Sequence, residues 1–401
     1  MISSQTNHFP ASLELGRKDR LCSNILRMQR KFGSFFDIIP ETYVTGGKEC
    51  KPFMTALAAH PNALWILKPP NQCCGQGIKI IQGGSDYKYE PDKRYVAQRY
   101  IYNPYLINGF KFDMRLYVLV TSFDPLRVYL FDNGLVRFCT QKYSKKDVQN
   151  RFGHLTNYSI NKKNKAFQSN QDAAEDGTGS KWSYKAINHS YQSSYPDKIH
   201  VDIAQVIVKT LVSVEVPIVD SLNAFKHAHE ACFELYGFDI LLDSSLRPWL
   251  LEVNVFPSMS SSSPMDKRIK SILVCDTFQL VGFPAVKVAE SQDAQLKARR
   301  NRSGSKKLTK DGSTEESKVA KEMRWKRAIE DEAARQGHFQ RIFPTTETTS
   351  YLSHFEKQRE SNAFYADLLR ATHNNSATEI ARRPSFTEKL NRAKQASFNY
   401  G

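Results

Sequence analysis

The stretch that decides the fold is Tyr236-Gly-Phe-Asp-Ile-Leu-Leu-Asp243 followed by Pro248-Trp-Leu-Leu-Glu-Val-Asn254. It predicts two apolar strands joined by the polar turn 244–247. If Asp243 and Pro248 flank that turn, the antiparallel register sets Asp239 opposite Glu252. Because side chains alternate across a strand, Asp239, Glu252 and Asn254 then share one face. The opposite face is expected to pack into a core and carries Ile240, Leu242, Leu251 and Val253.

Two carboxylates and an amide oxygen crowded on one face repel each other and favour a hard cation. An all-oxygen set suits Mg²⁺ that carries the phosphates of a nucleotide. The alternative for these residues alone is a solvated edge hairpin with scattered acids. The choice between the two depends on the rest of the chain.

The composition is that of a globular protein with a strongly basic balance. The 401 residues include 57 Lys and Arg against 41 Asp and Glu, a net charge of +16. That excess favours an acidic partner, which can be nucleic acid, an anionic membrane or an acidic protein. The seven cysteines show no C-x-x-C spacing and indicate reduced thiols rather than disulfides or a zinc site. With neither a signal peptide nor an apolar run long enough for a bilayer, we expect a soluble cytoplasmic protein.

Periodicity predicts several strands and helices around the hairpin. The strands are expected at 65–68, 78–81 and 95–101, and in a meander of 111–121, 127–131 and 136–140 that turns at 132–134. Helical patterns cover 13–28, 181–189, 200–214, 322–336 and 355–371. Residues 297–321 are predicted to be a flexible basic linker, and the tail from 372 is predicted to be disordered.

The loop Gln72-Cys-Cys-Gly-Gln-Gly77 lies between Lys68 and a returning strand. Two glycines let backbone amides approach a phosphate, and Lys68 at a strand end can neutralise phosphate charge. No Gly-Lys-Ser/Thr follows, so this is not a Walker loop. Ordinary turn glycines are the alternative.

Lys111, Asp113 and Arg115 alternate on one face of the next long strand. Such a face can line a cleft, or it can be solvated and hold cross-strand ion pairs worth about 0.2–1 kcal/mol each. Arg137 and Lys181, taken alone, are typical of surface residues, and Lys181 is expected at a helix end.

The order of these elements is that of ATP-grasp ligases, and their wording closely resembles the tubulin tyrosine ligase-like family, in particular its polyglutamylases. The resemblance covers roughly residues 7–285. The matching stretches are Lys68-Pro-Pro70, Gly75-x-Gly-Ile78, Gln98-Arg-Tyr-Ile101, Lys111-Phe-Asp-x-Arg115-x-Tyr-Val118, Asp124-Pro-Leu-Arg127, Gly134-Leu-Val-Arg137, His154-Leu-Thr-Asn-Tyr-Ser159, Gly237-Phe-Asp-Ile240 and Pro248-Trp-Leu-Leu-Glu-Val-Asn254.

The resemblance implies an α+β fold of the ATP-grasp type. Two lobes with antiparallel sheets are expected to enclose Mg-ATP, and a helical and disordered extension follows. Residues 1–60 are interpreted as a partial N-terminal lobe whose opening strands are absent. Residues 61–288 are interpreted as the central and C-terminal lobes, and 289–401 as a basic linker, helices and a disordered tail. The linker and residues 322–371 are a candidate docking region for microtubules, or a plain solvated extension.

The resemblance also implies roles for individual residues. Arg115, Arg137 and Glu252 are expected to be catalytic, and Asp239, Glu252 and Asn254 to hold two Mg²⁺ ions. Free glutamate, with two carboxylates, is expected at Arg137, Tyr158, Ser159 and Lys181. The residues expected along ATP are Lys68, Cys74, Gly75, Gly77, Gln98, Arg99, Tyr100, Ile101, Lys111, Phe112, Asp113, Thr156 and Asn157.

The implied activity is ATP-dependent addition of glutamate to γ-carboxylates of tubulin tails or of another Glu-rich protein, through an acyl phosphate. We expect a monomer of the cytoplasm and the microtubule cytoskeleton, with cilium or basal body as a further location. The alternatives are glycine transfer and a catalytically impaired microtubule-binding protein. Nucleic-acid binding ranks last, because no recognition motif accompanies the charge. The resemblance implies no choice between α-tubulin, β-tubulin and another acidic protein as the target.

Two positions bear on whether branches are started or lengthened. Cys74 stands where the resemblance implies Arg in enzymes that start a branch and Gln in those that lengthen one. Val255 after Asn254 is aliphatic, as in starters. Cys74 supplies neither the charge of Arg nor the amide of Gln, so Val255 alone favours initiation.

Overall fold

Two antiparallel sheets organise the part of the chain that the computed structural model describes. This part comprises residues 6–46, 50–72, 75–84, 87, 90, 92–172, 176–190, 196–225, 231–282, 306–308 and 314–374. Its strands are β1 Thr42–Thr45, β2 Leu64–Lys68, β3 Lys79–Gln82, β4 Tyr95–Arg99, β5 Leu106–Ile107, β6 Phe110–Phe123, β7 Leu126–Phe138, β8 Lys181–Ser183, β9 Glu234–Leu242, β10 Pro248–Asn254, β11 Lys306–Leu308, β12 Thr314–Glu316 and β13 Phe339–Phe343.

Helices surround these sheets. They are α1 Leu13–Gly16, α2 Lys18–Phe32, α3 Lys51–Ala59, α4 Arg151–His154, α5 Tyr158–Asn161, α6 Tyr184–Ser190, α7 Pro196–Asn223, α8 Pro264–Val281, α9 Lys318–Ala334 and α10 Glu360–Asn374, with 3₁₀ turns at Gly33–Phe36 and Thr346–His354. No described helix is long and apolar enough to cross a membrane. The mixture of helices and antiparallel sheets agrees with the α+β class predicted from the sequence.

The smaller sheet has the order β1-β4-β2-β3, and the larger has β10-β9-β6-β7-β13 with β5 and β8 at its side. The β11–β12 pair is separate from both. Lys68 ends β2, and the glycine loop follows it. The strands β6, β9 and β10, which carry most of the predicted charged site residues, are consecutive neighbours in the larger sheet.

The hairpin of β9 and β10 forms as predicted, but with a bulge. Glu252 pairs with Asp239 as expected, whereas Pro248 pairs with Leu242 rather than with Asp243. The register shifts between Leu250 and Glu252, because one extra residue of β10 is accommodated there.

The bulge reverses the predicted orientation of one side chain. Leu250 is 1% exposed in the core beside Ile240, Leu242 and Val253, and Leu251 is only partly buried and lines the cleft described below. Placing Leu251 in the core was therefore wrong.

The predicted three-stranded meander is two long strands. Residues 132–134 continue β7 instead of turning the chain. Leu116 of β6 pairs with Gly134 and Val118 pairs with Leu130, so Tyr117 faces three residues of β7. This irregularity contains Asn133 and Gly134, residue types that also favour a hairpin turn, which explains why the sequence predicted one here.

Alternation along β6 agrees with the sequence. Phe112, Met114 and Leu116 point into the main core, each 1% exposed or less. Lys111 and Asp113 point to the opposite face, which lines the cleft. The strand therefore separates packing on one side from polar chemistry on the other.

Lys181 begins a short strand, not a helix. β8 pairs with β7 so that Lys181 is the partner of Arg137, and the helix α6 starts only at Tyr184. The helices predicted at 13–28 and 200–214 form with different bounds, since Arg17 separates α1 from α2 and α7 covers Pro196–Asn223.

The part of the chain after residue 317 adds a strand that the sequence analysis did not expect. β13 pairs with β7 and completes the larger sheet. Glu332 of α9 accepts hydrogen bonds from Arg127 Nε (3.0 Å) and Tyr129 Oη (2.6 Å) of β7. Most of the predicted linker 297–321 and of the tail from 372 lies outside the described residues. The described part of the linker forms β11, β12 and the start of α9 instead of a chain without secondary structure.

Candidate active site

A cleft lies between the two sheets and receives side chains from both. Its lining includes Ile66, Lys68 and Gln98 of the smaller sheet and Lys111, Asp113, Asp239, Leu241, Leu251 and Glu252 of the larger one. Lys18, Pro40, Ile78, Arg99, Tyr100, Ile101, His154, Leu155, Thr156 and Asn157 complete it. Apolar walls with convergent charged groups are typical of a ligand site.

Lys68 enters the cleft from the end of β2 and is 8% exposed. Its Nζ donates to Gln98 Oε1 at 2.7 Å. Burial lowers the pKa of the Lys68 ammonium to about 8. A buried cation with few carboxylate neighbours is suited to an anionic ligand.

Lys111 is held by a chain of hydrogen bonds. Its Nζ donates to Tyr100 Oη and to the His154 carbonyl, both at 2.9 Å. Tyr100 Oη lies 2.7 Å from His154 Nδ1, and His154 Nε2 lies 3.0 Å from the carbonyl of Ser144. A carbonyl only accepts, so Nε2 carries the hydrogen and Nδ1 accepts from the tyrosine hydroxyl.

This chain leaves Lys111 with one donor for a ligand, since an ammonium has three. Burial lowers the pKa of Lys111 to about 8. Burial, followed by the charge of Lys111, also lowers the pKa of His154, which favours its neutral ring. The arrangement fixes both the position and the free direction of the ammonium.

Two arginines and two aspartates form a compact network between β6, β7 and β9. Arg137 donates Nε and Nη2 to Asp113, both at 2.7 Å, and Nη2 also to Asp239 at 2.7 Å. Arg115 donates to Asp239 through Nε at 2.5 Å and Nη2 at 3.0 Å. Thr156 Oγ1 donates to Asp113 at 2.7 Å. The network sets the orientation of each carboxylate.

Asp239 stays ionised within this network. Burial alone would raise the pKa of its carboxyl, but the charges of Arg115 and Arg137 outweigh burial and lower it. Across the hairpin, Glu252 Oε2 lies 3.0 Å from Lys18 Nζ. Two carboxylates of β9 and β10 therefore line the same cleft, as the predicted register requires.

Of the three predicted metal ligands, Asp239 and Glu252 line the cleft. Asn254 lies outside the lining of the cleft, and its Nδ2 is 3.4 Å from the Gly237 carbonyl. Among the described residues, no three His, Cys, Asp or Glu side chains gather closely enough to hold an ion. The Mg²⁺ ligands Asp239, Glu252 and Asn254 remain a prediction.

The glycine loop closes against the segment 157–160. Gly75 has φ +74°, and a Cβ there would lie 2.8 Å from Asn157 Oδ1 and 2.7 Å from Ile160 Cδ1. Arg151 donates to the Gly75 carbonyl at 3.0 Å. Both the backbone conformation and the close approach require glycine at this position. Cys74 lies outside the described residues.

Lys181 lies beside the network in a second charged cluster. Its Nζ is 3.0 Å from Asp266 Oδ2 and 2.6 Å from Ser262 Oγ, and it lies 4.7 Å from the ring centre of Tyr158. Burial lowers the pKa of Lys181, against the charge of Asp266. Through the pairing of β7 with β8, Lys181 and Tyr158 come near Arg137.

The remaining predicted positions divide into three groups. Gln98, Arg99, Tyr100, Ile101, Thr156 and Asn157 line the cleft. Phe112 packs in the core on the opposite face of β6, at 1% exposure. Gly75, Gly77, Arg115, Arg137, Tyr158, Ser159 and Lys181 lie outside the cleft lining, and of these Arg115 and Arg137 reach it through Asp113 and Asp239.

Lys18 and His154 are two polar residues of the cleft that were not assigned to the site from the sequence. Lys18 comes from the first turn of α2, where it pairs with Glu252 and donates to the Gln72 carbonyl at 3.1 Å. Its distance in sequence from the hairpin hid this role. His154 was noted only as part of a polar motif, although its position next to Thr156 and Asn157 was a usable signal.

Comparison with known proteins identifies the family. The model of the tubulin-tyrosine ligase family matches residues 2–292. The chain belongs to the tubulin-tyrosine ligase family. This confirms the resemblance drawn from the motifs, and the matched range contains every site residue discussed above.

Relatives within the family are named for glutamylation. Tubulin monoglutamylase TTLL4 of Homo sapiens is 37% identical over 409 residues, covering 92% of this chain and 33% of that protein. Tubulin polyglutamylase TTLL5 of Homo sapiens is 37% identical over 402 residues, covering 92% and 31%. Tubulin polyglutamylase ttll6 of Danio rerio is 36% identical over 361 residues, covering 87% and 45%. The chain thus spans about a third of the first two relatives.

Proposed function

We propose that this protein is an ATP-dependent glutamate–protein ligase. It adds glutamate through an isopeptide bond to γ-carboxylates of tubulin tails or of another Glu-rich protein. The observation that carries this proposal is the meeting of Lys68 and Lys111 with Asp239 and Glu252 in one cleft. The names of the relatives supply the reaction class.

The cleft is suited to a triphosphate. Among the described residues, no carboxylate lies within 4.0 Å of Lys68 Nζ or Lys111 Nζ, so both buried ammonium groups are available to an anionic ligand. The strand end Gln98–Ile101 offers backbone groups and partly apolar walls for a base, and Thr156 and Asn157 line the same cleft. We propose that the two sheets belong to the two lobes of an ATP-grasp fold, with the nucleotide between them.

Magnesium fits the oxygen donors of the hairpin. Asp239 accepts three hydrogen bonds through two oxygens, which leaves lone pairs for a metal, and Glu252 is engaged only through Oε2 by Lys18. Asp239, Glu252 and Asn254 would hold one or two Mg²⁺ ions, whose charge neutralises the phosphoryl oxygens when bound. In the described arrangement Lys18 supplies that positive charge to Glu252.

The proposed reaction has two steps. A γ-carboxylate oxygen of the target attacks the γ-phosphorus of ATP, the bond to ADP breaks, and an acyl phosphate forms. The amine of free glutamate then attacks the acyl carbon, phosphate leaves, and the amine proton passes to solvent. Lys68 and Lys111 hold the phosphates in line for the first step, which makes positioning and electrostatics the main contributions.

Free glutamate is proposed to bind beside Arg137. Lys181 pairs with Arg137 across β7 and β8, and its Nζ lies 4.7 Å from the Tyr158 ring centre. With Tyr158 and the adjacent Ser159, these two fixed cations suit an amino acid that has two carboxylates. Glycine has only one carboxylate, so glycine transfer is the second candidate. Arg115, whose guanidinium fixes Asp239, is proposed to act with Arg137 and Glu252 at the reacting groups.

The experiment that tests the proposal measures glutamate incorporation by Glu252→Gln. We expect incorporation of labelled glutamate into tubulin and into acidic protein to be lost, with folding unchanged. Glu90→Gln is the control, because Glu90 is a half-buried carboxylate outside the cleft lining that pairs with Lys79 and Lys93. A wild-type rate for Glu252→Gln overturns the proposal. Parallel reactions with labelled glycine decide between the two amino acids, and an inert protein that still binds MgATP indicates the catalytically impaired alternative.

Further parts of the proposal follow from the same family. We propose a monomer of the cytoplasm that acts on the microtubule cytoskeleton, including cilia or basal bodies. Branch initiation is favoured by Val255. The division into 1–60, 61–288 and 289–401 is proposed for the functional parts of the chain. Mass spectrometry of α- and β-tubulin after reaction would locate the modified glutamates.

A further inference from the structure

Six exposed lysines lie on two segments that flank one wall of the cleft. They form what is called here the lysine rim, consisting of Lys142, Lys145, Lys146, Lys162, Lys163 and Lys165. The whole interval 141–165 contains one carboxylate, Asp147. Such a density of like charge is unfavourable in an isolated protein and indicates an anionic partner.

The two lysine segments are joined into one surface. Thr140 donates its backbone N–H and its Oγ1 to Asn161 Oδ1, both at 2.9 Å. Asn164 Nδ2 donates to Thr140 Oγ1 at 2.9 Å. These bonds fix the residues just before Lys142 against those around Lys162, so the two lysine segments are held next to each other.

The rim is also attached to the cleft. The residues between the two lysine segments include His154 to Asn157, which line the cleft. His154 Nε2 donates to the Ser144 carbonyl at 3.0 Å, and Asn161 Nδ2 donates to the Leu155 carbonyl at 2.7 Å. The segment that carries the rim therefore also supplies part of the cleft lining.

The charges of the rim are not neutralised within the described part of the chain. None of the six lysines lies within 4.0 Å of a described carboxylate, whereas Lys185, Lys198 and Lys357 elsewhere on the surface each have one at 2.7 Å or less. Lys145 contacts Asn103 Oδ1 and the Tyr102 ring, and Lys162 lies 5.5 Å from the Tyr158 ring centre. These contacts position the stems and leave the positive charges available.

We propose that the lysine rim is the docking surface for the acidic segment of the acceptor protein, a run of glutamates that leads one γ-carboxylate into the cleft. The inference rests on the proposed function and assigns its acceptor path to residues 142–165 rather than to the C-terminal helices. All six cations are lysines, whose flexible stems follow a string of carboxylates without the fixed geometry that arginine imposes. Screening by salt should weaken the contact strongly.

The test measures binding of a fluorescein-labelled peptide of about ten glutamates by anisotropy, with neither ATP nor free glutamate present. The variant Lys162→Glu/Lys163→Glu/Lys165→Glu reverses half of the rim. We expect its Kd to rise at least about tenfold, which is about 1.4 kcal/mol. Lys142→Glu/Lys145→Glu/Lys146→Glu should act similarly, and thermal melting checks the fold of each variant.

The control is Lys318→Glu/Lys321→Glu/Lys326→Glu, which reverses the same charge on α9, where each lysine has a carboxylate within 4.0 Å. We expect its Kd to rise less than about twofold. An equal loss in rim and control variants, or no loss in either rim variant, overturns the assignment. Equal or tighter rim-dependent binding of an RNA oligonucleotide of matched charge also overturns it. MgATP titration of the rim variants, expected to match the wild type, separates this result from any failure of the cleft or of the proposed reaction.

Discussion

Tyr100→Phe removes one hydroxyl from the centre of the hydrogen-bond chain that holds Lys111. The hydroxyl accepts from Lys111 Nζ at 2.9 Å and donates to His154 Nδ1 at 2.7 Å. The ring itself is retained, so packing changes little. Because Tyr100, Lys111 and His154 are 6%, 7% and 1% exposed, water cannot easily replace the lost partner.

The cost follows from the two lost contacts. A hydrogen bond to a charged group is worth about 1.5–3 kcal/mol, and an unsatisfied buried acceptor such as His154 Nδ1 costs about 1–3 kcal/mol. We expect the free energy of unfolding to fall by about 3 kcal/mol. The ammonium of Lys111 also loses its fixed direction, so the KM for ATP should rise at least about tenfold with a smaller change in kcat.

Urea unfolding measures the first effect, and steady-state kinetics with MgATP measure the second. The control is Tyr43→Phe, whose hydroxyl donates to Glu41 Oε1 at 2.8 Å on the surface. That substitution should change stability by less than about 0.5 kcal/mol. If Tyr100→Phe resembles Tyr43→Phe in both measurements, the hydrogen-bond chain does not position Lys111.

Three further predictions concern the bulge, the C-terminal helix and pH. Leu250→Ala should lower the free energy of unfolding, measured in urea, by about 2–5 kcal/mol, and Leu251→Ala should lower it clearly less. Equal losses for the two variants would contradict the register of β9 and β10. Glu332→Ala leaves the buried Arg127 unpaired and should lower the free energy of unfolding by about 3–5 kcal/mol in the same assay. A loss under about 1 kcal/mol would show that the contact of α9 with β7 does not stabilise the fold. Because burial lowers the pKa of Lys68 and Lys111 to about 8, both lose charge as pH rises through about 8. Calorimetric MgATP affinity should therefore fall between about pH 7 and 9 with proton uptake on binding, and a constant affinity would refute this.

Much of the site was predictable because its residues follow the period of the strands. The alternation of Lys111 and Asp113 with Phe112 and Met114 set the two faces of β6. The predicted pairing of Asp239 with Glu252 is present, but the turn register differs by one residue from the predicted one, and the bulge at Leu251 restores the pair. A local pattern such as that of β6 is enough to predict which face of a strand each side chain occupies.

The rest depended on contacts between distant parts of the chain. Lys18 reaches Glu252 across more than two hundred residues, and no local spacing announces such a pair. β13 has an ordinary short apolar pattern, and only its pairing with β7 makes it a strand of the main sheet. The bulge at Leu251 was missed for a different reason, because alternation assumes a regular ladder and gives no signal where one residue is added.

That bulge separates the turn from the reactive end of the hairpin. On its turn side, partners of β9 and β10 differ by one position from the partners on the side of Glu252. An insertion or deletion of one residue near Ser244–Arg247 can therefore be absorbed by gain or loss of the bulge, with Glu252 still facing Asp239. The loop can therefore change in length during evolution while Asp239 and Glu252 stay opposite each other.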